Sequence, residues 1–307
     1  MNKKHNSFDV YTIIAEDNVT SASFVAEKGG VGSSLIMPDQ GNARELLFQH
    51  THFWERGNKH IPGGWPFLFP VCARLERNNI AGDYLYDGKV YNLPIHGFAP
   101  YLSWQVAKHT KNSITLVLRA TPQTLAMYPF NFCVELTYKV VPKLFICEQR
   151  YTNIGEKPMP YYAGFHPYFL TPRIGEGKEK VAINFKAKRH FKCNEKLTDI
   201  IGEQPLLAMP AFAADANINE QLSELAEDSS IQLSYPDGFV VNISIEETPQ
   251  TPRLFNYLQI YTQPQEPFIC LEPWMAFPNA LNTVQGVRWL APQQSDFAVL
   301  KVSSFNS

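Results

Sequence analysis

The stretch Phe132-Cys133-Val134-Glu135-Leu136-Thr137-Tyr138-Lys139-Val140 decides the fold class. Phe132, Val134, Leu136, Tyr138 and Val140 fall at every second position, with Glu135, Thr137 and Lys139 between them. Successive side chains on a β-strand point to opposite faces, so a period of two marks a half-buried strand. Working outward, Leu144 to Tyr151, Ser113 to Arg119, Phe239 to Ile245 and Phe255 to Tyr261 also read as strands, rich in β-branched and aromatic residues. Asp87-Gly88 separates Tyr84-Leu85-Tyr86 from Lys89-Val90-Tyr91, and Asp237-Gly238 separates Ile231 to Tyr235 from Phe239 to Ile243. Asp-Gly supplies the positive φ that a tight hairpin needs. Lys111-Asn112 lies in the same way between Trp104 to His109 and Ile114 to Leu118.

Helical pattern is scarce. Ile218, Leu222 and Leu225 fall at i, i+4 and i+7 within Asn217 to Glu227, which predicts one short amphipathic helix. No repeat and no linker divides the chain, and its 23 prolines are spread along it. The expectation is an all-β fold: a large antiparallel twisted β-sandwich with few short helices, spanning residues 1–307 as a single domain. No Gly-rich phosphate loop precedes a helix, so no nucleotide cofactor is expected.

With 45% hydrophobic and 13% aromatic residues, the chain can bury a large core. Its 27 basic and 29 acidic residues give a net charge of −2, which argues against a dedicated nucleic-acid binder. Apolar runs such as Trp65 to Cys72 are short and broken by Pro, so no membrane span is expected. The polar start and the early Glu16 and Asp17 form no secretory h-region. The five cysteines, Cys72, Cys133, Cys147, Cys193 and Cys270, lack CxxC and zinc-site spacing. They read as buried free thiols in a cytoplasmic protein.

Three distant segments each place one ionisable side chain in an apolar, Gly- or Pro-marked setting. They are Leu93-Pro94-Ile95-His96-Gly97-Phe98-Ala99, Ala163-Gly164-Phe165-His166-Pro167-Tyr168-Phe169 and Ile269-Cys270-Leu271-Glu272-Pro273-Trp274. Two histidines and a carboxylate are what acid–base chemistry near neutral pH requires. Each has a plainer reading. A histidine in apolar sequence is often a satisfied core residue. Glu272 could be half of a salt bridge to Arg74 or Arg288, since a buried unpaired carboxylate is several kcal/mol unfavourable. Arg74 could itself be structural.

Five motifs in order carry a resemblance over roughly residues 40 to 290. They are Gly63-Gly64-Trp65-Pro66-Phe67-Leu68-Phe69-Pro70, Ile95-His96-Gly97-Phe98, Tyr128-Pro129-Phe130-Asn131-Phe132, His166-Pro167-Tyr168-Phe169, and Glu272-Pro273-Trp274 with Pro278-Asn279-Ala280-Leu281-Asn282. Together they resemble the aldose 1-epimerase (galactose mutarotase-like) superfamily. The nearest branch has the His-Pro-Tyr-Phe motif and includes hexose-phosphate epimerases. The resemblance implies an isomerase of carbohydrate metabolism that interconverts the α and β anomers of an aldohexose or hexose 6-phosphate, needing no cofactor or metal. It implies Glu272 as base, His166 as acid and His96 as a hydrogen-bonding partner near the ring oxygen. Arg74 would bind sugar hydroxyls, and Trp65, Tyr168 and Trp274 could stack on the sugar. The family's additional substrate-binding aspartate has no matching motif here; Asp199 and Asp215 are candidates.

Lys178, Lys180, Lys186, Lys188, Arg189, His190, Lys192 and Lys196 crowd the segment from Gly177 to Lys196. This reads as a solvated edge strand protected by lysines, or else as a basic rim for a sugar phosphate. Arg44, Arg56 and Arg77 are rival phosphate contacts. Two other functions stay open: a non-catalytic carbohydrate-binding protein on the same fold, and a glycoside hydrolase or lyase, which would want a second carboxylate. Composition leaves monomer and homodimer equally open.

Overall fold

The computed structural model describes residues 2–5, 8–56 and 62–306. The alternating stretch forms the strand Phe132–Val141, paired antiparallel with Leu144–Asn153 in unbroken register from Phe132↔Asn153 to Val141↔Leu144. Val134, Leu136, Tyr138 and Val140 are buried, as their spacing requires. This hairpin lies near one side of an antiparallel sheet, of nine strands among the described residues, that runs from Gln105–His109 through Ser295–Asn306 to Ala211–Phe212. A second sheet, of eight strands among the described residues, carries the chemistry-bearing segments. A further sheet, of five strands among the described residues from Asn2–His5 to Asn42–Glu45, packs on the first through Phe24 stacked on Tyr138, 4.4 Å between ring centres.

Aromatic rings join the two large sheets. Trp65 meets Phe145 at 5.5 Å, Phe67 meets Tyr151 at 6.2 Å and Phe69 meets Phe132 at 5.0 Å between centroids. Such contacts bury wide apolar faces and fix their mutual orientation. The Gly-Gly-Trp-Pro-Phe-Leu-Phe-Pro segment is therefore the seam between layers.

The turn signals fold as read. Asp87 and Gly88 take φ of 51° and 73° between Asp83–Tyr86 and Lys89–Asn92. Gly238 takes φ of 86° between Ile231–Ser234 and Phe239–Glu246, and Gln105–His109 pairs with Ser113–Arg119 across Lys111-Asn112. The helix expected within Asn217 to Glu227 does not form. Ala216–Ile218 is a single 3₁₀ turn, and Gln221–Leu225 is a strand held between Ala187–Cys193 and Tyr257–Thr262. Three large apolar residues in eleven are a weak helical signal. Two flanking strands satisfy this backbone on both sides, and tertiary pairing overrides local preference. Instead, a short helix forms at Pro122–Met127, with Thr121 and Thr124 bonding reciprocally at its start.

Candidate active site

Strand register builds the site. Phe268–Trp274 lies at the middle of the eight-stranded sheet, and all its residues are buried. Gly164 pairs with Trp274, and Tyr168 pairs with Cys270. Counting inward from both pairs puts His166 opposite Glu272, and Pro167, lacking an N–H, breaks the ladder there. On the other flank Gln259 pairs directly with Glu272. Side chains opposite one another in an antiparallel pair share a face. His166 Nε2 accordingly lies 3.3 Å from Glu272 Oε1, and Trp274 Nε1 donates to Glu272 Oε2 at 3.2 Å. The histidine loop is held from behind: the amides of His166 and Tyr168 donate to the carbonyls of Pro66 and Gly64. Tyr168 stacks on the His166 ring at 4.6 Å. Gly164 has no room for a side chain, because a Cβ there would lie 2.8 Å from the Trp274 ring.

His96 arrives from a loop in the left-handed region, with φ of 63°. Gly97 follows at φ of 72°, where a Cβ would lie 2.2 Å from the carbonyl oxygen of Phe69. The His-Gly pair thus lets the loop press against the interlayer seam. The Ala73 amide donates to His96 Nδ1 at 3.0 Å, and the His96 amide donates back to the Ala73 carbonyl at 2.9 Å. With Nδ1 accepting, the neutral ring carries its hydrogen on Nε2. The His96 and His166 rings meet edge to face at 5.4 Å. The Asn279 amide donates to the Arg74 carbonyl, and Asn279 Oδ1 accepts from the Glu76 amide. The Pro-Asn-Ala-Leu-Asn motif therefore fixes the loop that carries Arg74.

These groups line one cavity of about 220 Å³, shared with Tyr261, Cys193 and Glu220. A larger hollow of about 580 Å³ includes Arg44, Asp39 and Asp237. Its guanidinium is closed by ion pairs to both aspartates at 2.9 and 2.7 Å and packs on Tyr235 and Phe239. The smaller cavity holds the acid–base set and is the functional candidate.

Burial pushes the Glu272 carboxyl well above its ordinary range, and the nearby Glu220 carboxylate adds to this; the Trp274 N–H acts against it. A protonated His166 at 3.3 Å would also favour the carboxylate. Glu220 is itself raised by burial, against which the Arg74 charge and a 2.8 Å hydrogen bond from Gln259 Nε2 act. Burial pushes the Cys193 thiol up to about 11, so it is no nucleophile near neutral pH.

Of the residues expected from sequence, Glu272, His166, His96, Arg74, Tyr168 and Trp274 converge on this cavity. Trp65 does not. It is 1% exposed and packs among Phe145, Phe165 and Phe169, because the seam takes its ring. Asp199 and Asp215 also lie outside. Asp199 accepts from Asn194 and Thr198, and Asp215 caps the 3₁₀ turn. Glu220 is the second carboxylate, and the sequence reading missed it. It sits at φ of 56° beside the strand misread as a helix. Arg288 pairs with Asp296, not Glu272. The basic segment is largely neutralised: Lys186 pairs with Asp228, Lys188 with Glu227, and Arg189 with Glu203 and Glu224. Lys178 is buried, its ammonium donating to the carbonyls of Gln263, Glu266 and Phe268 and so anchoring the turn into the Glu272 strand. Arg44 faces the other hollow, and Arg56 pairs with Glu27.

The family model of aldose 1-epimerase matches residues 9–217. Protein LacX of Lactococcus lactis subsp. lactis, in chromosomal and plasmid forms, is 26% identical over 248 residues, covering 75% of this chain and 80% of the relative. Among solved structures, the Slr1438 protein of Synechocystis sp. PCC 6803 superposes with a TM-score of 0.81 at 24% identity, covering 100% of both chains. A galactose mutarotase-like protein from Clostridium acetobutylicum gives a TM-score of 0.78 at 17% identity, covering 100% of this chain and 98% of that one. A galactose mutarotase related enzyme from Lactobacillus acidophilus gives 0.76 at 23% identity, covering 97% of each. These structures share the fold.

Proposed function

The chain belongs to the aldose 1-epimerase family, and on that premise we propose that it interconverts the α and β anomers of an unphosphorylated aldohexose by acid–base ring opening. The observation that carries this reading is the Glu272–His166 contact of 3.3 Å inside a cavity of about 220 Å³. Both oxygens that change protonation, the C1 hydroxyl and the ring oxygen, are bonded to C1. The base and acid that serve them must therefore be neighbours.

Glu272 takes the hydroxyl proton while the C1–O5 bond breaks and O5 takes a proton from His166. The aldehyde rotates about C1–C2. O5 then adds to the other face of C1, returning its proton to His166, and Glu272 gives its proton to the new C1 oxygen. No net charge or electron is left over. A raised carboxyl suits this cycle, because once ionised it is a stronger base than an ordinary carboxylate. His96, with hydrogen on Nε2, would donate to the ring oxygen. Glu220 and Gln259 would accept from and donate to the outer hydroxyls, with Arg74 beside them. Because residues from 62 to 278 contribute to one cavity, this reading treats the chain as one functional unit.

The neutral sugar is preferred because two carboxylates line the cavity and Arg74 already faces Glu220. One observation favours a hexose 6-phosphate instead. An adjoining cavity of about 420 Å³ shares Arg74 and Ile95 and adds Lys196, although Glu76 holds that ammonium at 2.9 Å. An anomer-exchange panel with glucose, galactose and their 6-phosphates separates the two. Faster exchange of the neutral sugars is expected, and a low-salt preference for the phosphates would reverse the assignment. Sugar binding by calorimetry with no exchange at all would leave the non-catalytic binding reading.

A further inference from the structure

Cys270 has no part in the cycle above, yet its thiol lies beside the two groups that do. One imidazole nitrogen of His166, the Cys270 sulfur and a Glu272 oxygen all lie within 4.8 Å of one another. The three residues are 6%, 0% and 1% exposed. Cys270 and Glu272 are two apart on one strand and so share its face, and His166 reaches that face from the loop between Gly164–Phe165 and Tyr168–Leu170. We propose that His166, Cys270 and Glu272 form a binding site for a thiophilic divalent cation of the zinc class, and that a cation bound there blocks the sugar reaction.

The donor set is one nitrogen, one sulfur and one oxygen, which zinc and its softer relatives accept. Metal–ligand bonds of about 2.0–2.3 Å put tetrahedral ligands roughly 3.3–3.6 Å apart. The His166–Glu272 separation of 3.3 Å already meets this, and the Cys270 sulfur, within 4.8 Å of both, would have to close the rest. His166 and Glu272 line the cavity, so a fourth ligand, a water or a sugar hydroxyl, would reach the cation from that side. Glu220 adds negative charge nearby, while the Lys178 ammonium behind Cys270 opposes the cation. On binding, the thiol proton leaves to solvent and the thiolate takes its place on the metal. The cation then occupies the Glu272 lone pair and the His166 nitrogen that proton transfer needs. Cys270 as a mere apolar filler beside Phe48, Tyr168 and Phe268 would predict none of this.

The inhibitory part of the proposal rests on the mutarotase reading; the binding part does not. The test titrates metal-stripped full-length chain with cadmium, following the thiolate-to-metal charge-transfer absorption, and with zinc, following glucose anomer exchange. The expected result is a band in wild type that is lost in Cys270→Ala, with affinity falling at least the ~10–100-fold that even an outer partner's loss causes. Cys270→Ala should keep its basal exchange and resist zinc, and a chelator should restore the wild type. Cys270→Ser, closer in volume, serves if the alanine variant does not fold. An equal band and equal inhibition with and without the Cys270 thiol would overturn the proposal, as would no band in wild type. Cadmium bound through Cys270 by a chain that never exchanges anomers would uphold the site and defeat the mutarotase reading.

Discussion

Two carboxylates are buried to nearly the same depth and treated in opposite ways. Asp296 is 3% exposed and receives two hydrogen bonds of 2.7 Å from Arg288 and one of 2.8 Å from Tyr161. Glu272 is 1% exposed and receives one from Trp274 at 3.2 Å, beside an imidazole and a second carboxylate. A bidentate guanidinium makes a carboxylate a fixed anion that locks the Arg288–Leu290 strand to the nine-stranded sheet. Withholding that partner leaves a carboxyl that can take up and release a proton. The difference teaches that burial alone identifies neither a structural nor a reactive acid; what faces it does.

The largest effect should come from removing the reactive member. Glu272→Gln should lower anomer exchange by about 10²–10⁴-fold or more, measured by polarimetry or NMR saturation transfer, and His166→Ala by a similar factor. Wild-type exchange in Glu272→Gln would end the assignment. The same variant should not lose stability near neutral pH. Because the folded Glu272 carboxyl is raised, its stabilising contribution is fully present below the ordinary carboxylate range and is lost as pH rises through the raised value. A neutral amide at this position removes that loss, so the thermal midpoint near pH 7 should hold or rise.

Next in size is the structural member. Asp296→Asn should lose roughly 3 kcal/mol in denaturant unfolding, the low end for a broken buried pair because Arg288 is 38% exposed. Its exchange rate per folded molecule should not change. A rate loss without a stability loss would erase the contrast.

Smaller shifts test what tunes Glu272. Glu220→Gln removes a negative neighbour, so the Glu272 carboxyl should fall and the acidic limb of the pH–rate profile should move to lower pH. Trp274→Phe removes a donor acting the other way, so that limb should move to higher pH, by about one unit or less. Shifts of the same sign in both variants would refute this account of the electrostatics.

Much of this was legible in the sequence because it rests on local chemistry. The period of two at Phe132–Val141 and the Asp-Gly turns give strands and hairpins directly. The histidine and glutamate motifs could be seen because each sits in unusual Gly- and Pro-marked apolar sequence. Glu220 could not: its neighbours Asn217, Asn219 and Gln221 are ordinary polar residues, and its place in the cavity depends on a left-handed turn before a strand that local spacing does not reveal. Trp65 misled because a tryptophan beside a Gly-Gly motif reads equally well as a stacking platform or as core. Only the interlayer packing distinguishes them. The Cys270 cluster was invisible because its members are 104 and 2 residues apart along the chain, a spacing no metal motif contains.

The register linking Gly164, His166 and Tyr168 to Trp274, Glu272 and Cys270 has an arithmetic consequence. Orientation on a strand depends on whether a position is odd or even. With both pairs kept and the segment extended, losing or gaining one residue between 164 and 168 would put the imidazole out of step with one of them unless a bulge absorbed the change. Homologous chains should therefore keep the length of this segment fixed, or alter it only in steps of two, even where the residue identities drift.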